Sequence, residues 1–192
     1  SYGLKEGTFD LNYAPNSTEK GAFRVVGRVS DQDDPTDYVY FKNYYIAPSY
    51  NFDLGEKDDL SVIASYQRRE YLRQQGIPHG NSSTYKNYSH GLFFGDSDYG
   101  YDVDVYRFGA NYAHYFDNDW TFKQNFAVTK TETLGDSILA SGRNVLPTIK
   151  RAINNQDKQD VNYTLDNNLQ RNFTFGPINY DVMVGVDMMR ER

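Results

Sequence analysis

The chain of 192 residues holds 18 Tyr, 12 Phe, one Trp and no cysteine, with 26 acidic against 20 basic side chains for a formal net charge of −6. The missing cysteine excludes a disulfide framework, a thiolate nucleophile and a Cys-bound zinc; a pI near 5.0 argues against nucleic acid as the main partner. Mean hydropathy is −0.76 with 16% aromatic residues, and no apolar run approaches the ~20 residues a membrane-spanning helix needs, so any crossing of a bilayer must be made by strands.

Taken in order, the first two strands are predicted at 4–14 and 22–30, joined by the turn-forming stretch PNSTEKG (15–21). The acidic segment DQDDPTD (31–37) leads into a strand over 39–54, where Tyr44, Ile46, Pro48, Tyr50, Phe52 and Leu54 alternate with Ala47, Ser49, Asn51 and Asp53. After GEKDD (55–59), a strand over 60–70 sets Leu60, Val62, Ala64 and Tyr66 against Ser61, Ser65, Gln67 and Arg69. A long connection (71–101) precedes a strand over 102–116, the three-residue turn DND (117–119), and a strand over 120–132. A third long connection (133–159) leads to the last pair, 160–172 and 178–190, joined by FTFGP (173–177). In that pair Val161, Tyr163, Leu165 and Leu169 oppose Asn162, Thr164, Asp166, Asn168 and Gln170. Ile178, Tyr180, Val182, Val184, Val186 and Met188 oppose Asn179, Asp181, Gly185 and Asp187.

Short and long connections alternate without exception, and the strands are long enough to cross a bilayer, which takes about 9–11 tilted residues. Both features predict an all-β fold: about eight antiparallel strands in an up-and-down meander, of the outer-membrane barrel kind, with tight turns at one end and long loops at the other. A water-soluble β-protein is the alternative, with shorter strands and short loops at both ends. Rings gather at the short-turn end: Tyr50, Phe52, Tyr112, Phe116, Trp120 and Phe122, with Phe173 and Phe175 placed in the last turn. Amphipathic rings at one level make these six the candidate membrane-interface anchors. Lys123, Asn125, Arg107 and Asn111 fall on the inward-facing positions as structural polar groups.

Three segments carry a family resemblance: YYIAPSYNFDLGEKDDLSVIASYQRRE (44–70), YRFGANYAHYFDNDWTFKQNFAVTKTE (106–132) and YTLDNNLQRNFTFGPINYDVMVGVDMMRER (163–192). The Ile-Ala-Pro-Ser strand, the Asn/Asp turn before Trp-Thr and a Gln-Asn pair, and the Gly-Pro turn before a Gly-x-Asp strand resemble TonB-dependent ferric-siderophore receptors of the ferrichrome- and pyoverdine-receptor group. The resemblance implies an active-transport receptor in the outer membrane of a Gram-negative cell, with a barrel of about 22 strands around an N-terminal plug. It also implies a ferric siderophore as transported ligand, with no intrinsic cofactor and no catalytic residue. The implied partners are outer-membrane lipid and lipopolysaccharide, and a TonB-type coupling protein acting through the plug region. On this expectation residues 1–192 are a partial outer-membrane β-barrel domain, the N-terminal part of the barrel, without plug, coupling segment or remaining strands. The alternative is a complete small eight-stranded barrel with an adhesin or structural role.

Ligand-binding candidates lie around the longest connection: Arg69, Tyr71, Arg73, Gln74, Tyr85, Tyr88, Phe93, Phe94 and Tyr99. Rings give flat contact area, and Arg complements the charge of an anionic chelate. Gln74, Gln75 and Gly76 precede Ile77-Pro78 where ferrichrome-type receptors carry aromatics before a Leu-Pro pair, so those positions do not support a ferrichrome-like hydroxamate. Arg68, Arg69 and Arg73 either favour a more anionic complex or line a hydrated wall. DQDDPTD and the series Asp96, Asp98, Asp102 and Asp104 read as solvated acidic loops, with a divalent ion bridging to lipopolysaccharide as the alternative. His79, His90 and His114 lack zinc-site spacing, so no metal site is expected.

Overall fold

The computed structural model describes residues 3–15, 21–73, 89, 91–140 and 150–192. Its strands are β1 (Lys5–Tyr13), β2 (Ala22–Asp33), β3 (Tyr40–Asp53), β4 (Asp58–Tyr71), β5 (Tyr101–Tyr115), β6 (Trp120–Ala140), β7 (Arg151–Phe175) and β8 (Ile178–Glu191). Each pairs antiparallel with the next in a single sheet ordered β1 to β8, the meander expected from the alternation. Among the described residues β1 and β8 do not meet, so these eight strands do not close on one another.

Six strands lie within a few residues of their predicted bounds, but β6 and β7 do not. They run 21 and 25 residues, pairing from Trp120↔Arg171 to Ala140↔Arg151, through most of what the alternation left as a connection. Beyond Glu132 and Gln159 neither face of this ribbon needs to be apolar, so the period-two signal disappears while backbone pairing continues. β7 also reaches Phe175, which puts Phe173 and Phe175 in a strand instead of a turn; Phe173 stacks on Tyr180 across the β7–β8 pair with centroids 5.3 Å apart.

Register sorts the side chains into two faces, because successive residues of a strand point to opposite sides. One face carries Phe9 and Leu11, Phe23 and Val25, Ile46 and Pro48, Val62 and Ala64, Phe108 and Ala110, Phe126 and Val128, Leu165 and Leu169, and Val182 to Met188 at alternate positions. Among the described residues nothing packs over it: Phe108 is 45% exposed and Val184 69%. An apolar face of this size, interrupted by the hydrogen-bonded pair Gln124 and Asn167, is stable only against lipid or another apolar surface. Along β8 the stripe from Ile178 to Met188 spans about 33 Å at ~3.3 Å per residue. Tilted by about 40°, that is close to the ~25 Å apolar band of outer-membrane barrels.

The opposite face is polar and cross-linked. Arg24 pairs with Asp10 at 2.6 Å, Arg28 with Glu6 at 2.5 Å, and the Asn125 amide donates to Asp166 at 3.0 Å. Phe9 lies across Gly27, its register partner, in the space a side chain would occupy, so the ring covers bare backbone within the apolar band. The β3–β4 ladder skips from Ile46↔Tyr66 to Ser49↔Ile63, because Pro48 has no N–H to give.

The two ends differ. At the short-turn end Asp117, Asn118 and Asp119 link β5 to β6: the Asp119 N–H donates to Phe116 O at 3.2 Å, and Asp119 then adopts φ 65°. This is the three-residue hairpin in which a left-handed residue completes the turn. At the long-loop end a small interior forms from Val39, Leu72, Tyr101, Val103 and Ile138, all below 10% exposure.

Candidate functional site

The apolar band stops at the long-loop end in charge. On that face Tyr66 and Tyr106 pack at 5.1 Å, and Arg68 follows, bound by Glu70 at 2.8 Å, Asp102 at 3.0 Å and Asp104 at 3.7 Å. The Tyr66 hydroxyl also donates to Asp104 at 2.6 Å. Arg68 therefore faces away from the polar interior and does not line the mouth with Arg69, as the sequence had left open. Asp102 and Asp104 are ion-pair partners of Arg68 instead of free oxygen ligands. Among the described residues no group of three or more His, Cys, Asp or Glu is placed to hold a metal ion.

One residue further on, Arg69 turns to the polar face. It sits opposite Asn43 on β3 and Val103 on β5, and Tyr71 follows it, flanked by Phe41 and Tyr101. Phe41 and Tyr71 lie nearly parallel at 13° with centroids 6.2 Å apart, and Tyr71 and Tyr101 are tilted at 5.4 Å, a row of rings across three strands. Phe41, Lys42, Asn43, Arg69 and Tyr71 line a cavity of about 260 Å³, and the Lys42 ammonium lies 5.5 Å from the centre of the Tyr40 ring. Gln67 donates its amide to Asn43 Oδ1 at 2.6 Å, so what Asn43 offers the cavity is its NH₂. The Arg69 side chain has no ion-pair or hydrogen-bond partner among the described residues.

Tyr101 supports this row from behind. It is 3% exposed, and its hydroxyl lies 2.6 Å from Ser137 Oγ and accepts from Asn154 at 3.2 Å, tying β5 to the β6–β7 ribbon. Gly135 permits the approach: its φ is +149°, and a Cβ there would overlap the Gly100 carbonyl.

The remaining ligand candidates that the structure describes are not brought together. Arg73 is exposed just past the end of β4, Phe93 packs against Tyr38 at 6.1 Å, Phe94 is half-buried, and Tyr99 sits in a turn with its N–H 3.4 Å from Asp96 O. Gln74, Tyr85 and Tyr88 lie outside the described residues, as do His79 and His90. His114 is at the other end, 2.7 Å from Asp58. Sequence reasoning missed Phe41 and Asn43, which counting the hairpin register back from the 54–57 turn would have placed beside Tyr71 and Arg69. The six ring positions singled out for the membrane interface all fall at the short-turn end on the apolar side; Tyr50 and Phe52 meet edge-on at 4.7 Å, and Tyr112 and Phe122 at 6.4 Å. A second cavity, of about 450 Å³, lies midway along the polar face beside Arg107, Asn111, Asn125, Asp166 and Asp187.

An uncovered apolar band, a cross-linked polar face, tight turns at one end and long loops at the other define the wall of an outer-membrane β-barrel. Comparison with known proteins gives the kind of barrel. No protein-family model matches the chain. It is 24% identical over 189 residues to a ferrioxamine receptor of Yersinia enterocolitica and 25% identical over 184 residues to a ferrioxamine B receptor of Salmonella typhimurium, covering 95% and 93% of the chain. It spans about a quarter of those relatives' length, 26% in each case. In fold it matches the ferric-catecholate import receptor Fiu of E. coli (TM-score 0.85, 20% identity, all of this chain and 32% of Fiu). It also matches pyoverdine-bound FpvA of P. aeruginosa (TM-score 0.87, 19% identity, all of this chain and 26% of FpvA) and PiuA of Acinetobacter baumannii (TM-score 0.86, 18% identity, 98% and 28%). In sequence and in fold the chain is thus similar to part of the barrel wall of outer-membrane siderophore receptors.

Proposed function

We propose that the chain supplies wall and extracellular loops to an outer-membrane receptor that imports a ferric siderophore, with energy from a TonB-type coupling protein acting on a plug region elsewhere in the receptor. The observation that carries this reading is the pairing of a lipid-facing apolar band with a polar-face cavity at the long-loop end, where rings and a cation meet. The free edges of β1 and β8 support a larger barrel, since unpaired backbone N–H and C=O groups cannot face lipid. Outer-membrane lipid covers the apolar band, and lipopolysaccharide headgroups meet the charged row around Arg68.

Deleting the parent gene and measuring uptake of labelled ferric siderophores under iron limitation tests the proposal. Loss of uptake of one chelate class is expected; if no chelate depends on the gene, import is the wrong assignment. A self-contained eight-stranded adhesin makes a different prediction, an intact native mass near 22.2 kDa instead of about four times that value, given the 26% coverage of the relatives.

A further inference from the structure

We infer that the cavity between β3 and β4 takes one aromatic, doubly deprotonated arm of an anionic ferric chelate, so that the receptor prefers catecholate-type complexes to hydroxamates. The inference rests on the receptor reading and concerns which iron complex that receptor selects. Its basis is the donor set. Arg69 and the Asn43 NH₂ supply N–H groups, and Asn43's own oxygen is already engaged by Gln67. On the polar face the register neighbours of Arg69 are Asn43 and Val103, so no carboxylate stands directly across from the guanidinium on either side. Arg68, its neighbour on the opposite face, has three carboxylates.

A guanidinium with no carboxylate beside it among the described residues favours an anion, and its planar fork matches a pair of adjacent oxygens. Phe41 and Tyr71 wall the same cavity with flat rings suited to an aromatic guest. At about 260 Å³ the cavity admits a single arm of a chelate, not the whole complex. Charge separates the ligand classes. Three singly charged hydroxamates neutralise ferric iron, and ferrioxamine B adds an ammonium group. Three aromatic diolates leave the complex strongly negative. The first arrangement gives Arg69 little to bind; the second gives it an anionic oxygen pair on a ring.

The test uses the purified full-length receptor in detergent, titrated calorimetrically with ferric tris-catecholate and, separately, with ferrioxamine B. The expected result is at least about tenfold tighter binding of the tris-catecholate. Arg69→Gln should weaken that complex roughly 10- to 100-fold, the worth of one charged hydrogen-bonding group, while leaving ferrioxamine B binding unchanged. Arg68→Gln, on the opposite face, should leave both affinities unchanged. Tighter binding of ferrioxamine B, or an Arg69→Gln variant with wild-type affinity for the catecholate, overturns the inference and leaves the receptor reading standing. Binding of neither complex, or of any other ferric siderophore, overturns both.

Discussion

The hydroxyl of Tyr101 and that of Ser137 lie 2.6 Å apart, both in residues below 5% exposure, and this bond joins the foot of β5 to the β6–β7 ribbon. Tyr101→Phe removes it, leaves Ser137 Oγ, which is 1% exposed, without its partner, and takes the acceptor from the Asn154 amide. The expected loss is about 1–2 kcal/mol, mostly the cost of stranding a buried hydroxyl. Urea unfolding in detergent measures it. Adding Ser137→Ala to Tyr101→Phe should recover part of the loss, since two apolar groups then face one another; full additivity of the two substitutions would show that the bond contributes nothing.

Asp119 holds φ 65° in the turn between β5 and β6, a conformation that costs an L-residue with a Cβ and costs glycine almost nothing. Asp119→Gly should therefore stabilise the hairpin by about 0.5–1 kcal/mol, and Asp119→Val should destabilise it. The 3.7 Å approach of Arg171 to Asp119 is too loose and too exposed to reverse that order. Thermal unfolding of the two variants side by side decides the matter.

Phe126 and Asn125 are adjacent on β6 and belong to opposite faces. The 192-residue sequence has no cysteine of its own. Nitroxide labels placed by Phe126→Cys and by Asn125→Cys should report lipid-dissolved oxygen at the first position and a water-soluble relaxant at the second. Equal exposure of both labels to the aqueous relaxant would mean that the apolar face is not against lipid.

Lys57 and Asp117 join two short turns outside the apolar band, with the ammonium 2.7 Å from one carboxylate oxygen. The hydrogen bond from Lys57, and then its charge, hold the Asp117 carboxyl below the ordinary aspartate value of 3.8. A depressed carboxyl stabilises the folded state above its unfolded pKa, and that contribution disappears as pH falls through the lower, folded value. An NMR titration of labelled aspartate should therefore place Asp117 below 3.8 in the wild type and return it toward that value in Lys57→Gln. An identical midpoint in the two proteins would show that the pair is not formed in solution.

The strands were legible wherever one face had to be apolar. Val182 to Met188 and Leu165 to Leu169 announce themselves because an apolar face asks for apolar side chains at second positions, with Asn167 accommodated by its hydrogen bond from Gln124. The ribbon formed by 133–140 and 151–158 was not legible for the same reason: past the apolar band its buried residues, Ser137 and Ile138, follow no period of two, and polar residues such as Asp136, Asn155 and Lys158 stand beside them while backbone pairing continues. The mouth was half legible. Arg69 and Tyr71 stand out as a cation and a ring at the start of a long connection. Phe41 and Asn43 join them only through register, which depends on where the 54–57 turn falls and not on any local pattern. Likewise, adjacent arginines at 68 and 69 look equivalent as a pair of letters, and the pleat gives them different surroundings.

That pleat gives the strand two interleaved texts, one read by lipid and the other by whatever enters the mouth. Substitutions at Asn43, Arg69 or Tyr71 can change without altering a single character of the text that governs insertion, and the reverse holds for Ile46, Val62 and Phe108. On the proposed receptor function, a lineage can therefore exchange one iron complex for another by point changes while its wall stays fixed, and two such receptors that share every residue of the apolar face can still differ in what they admit.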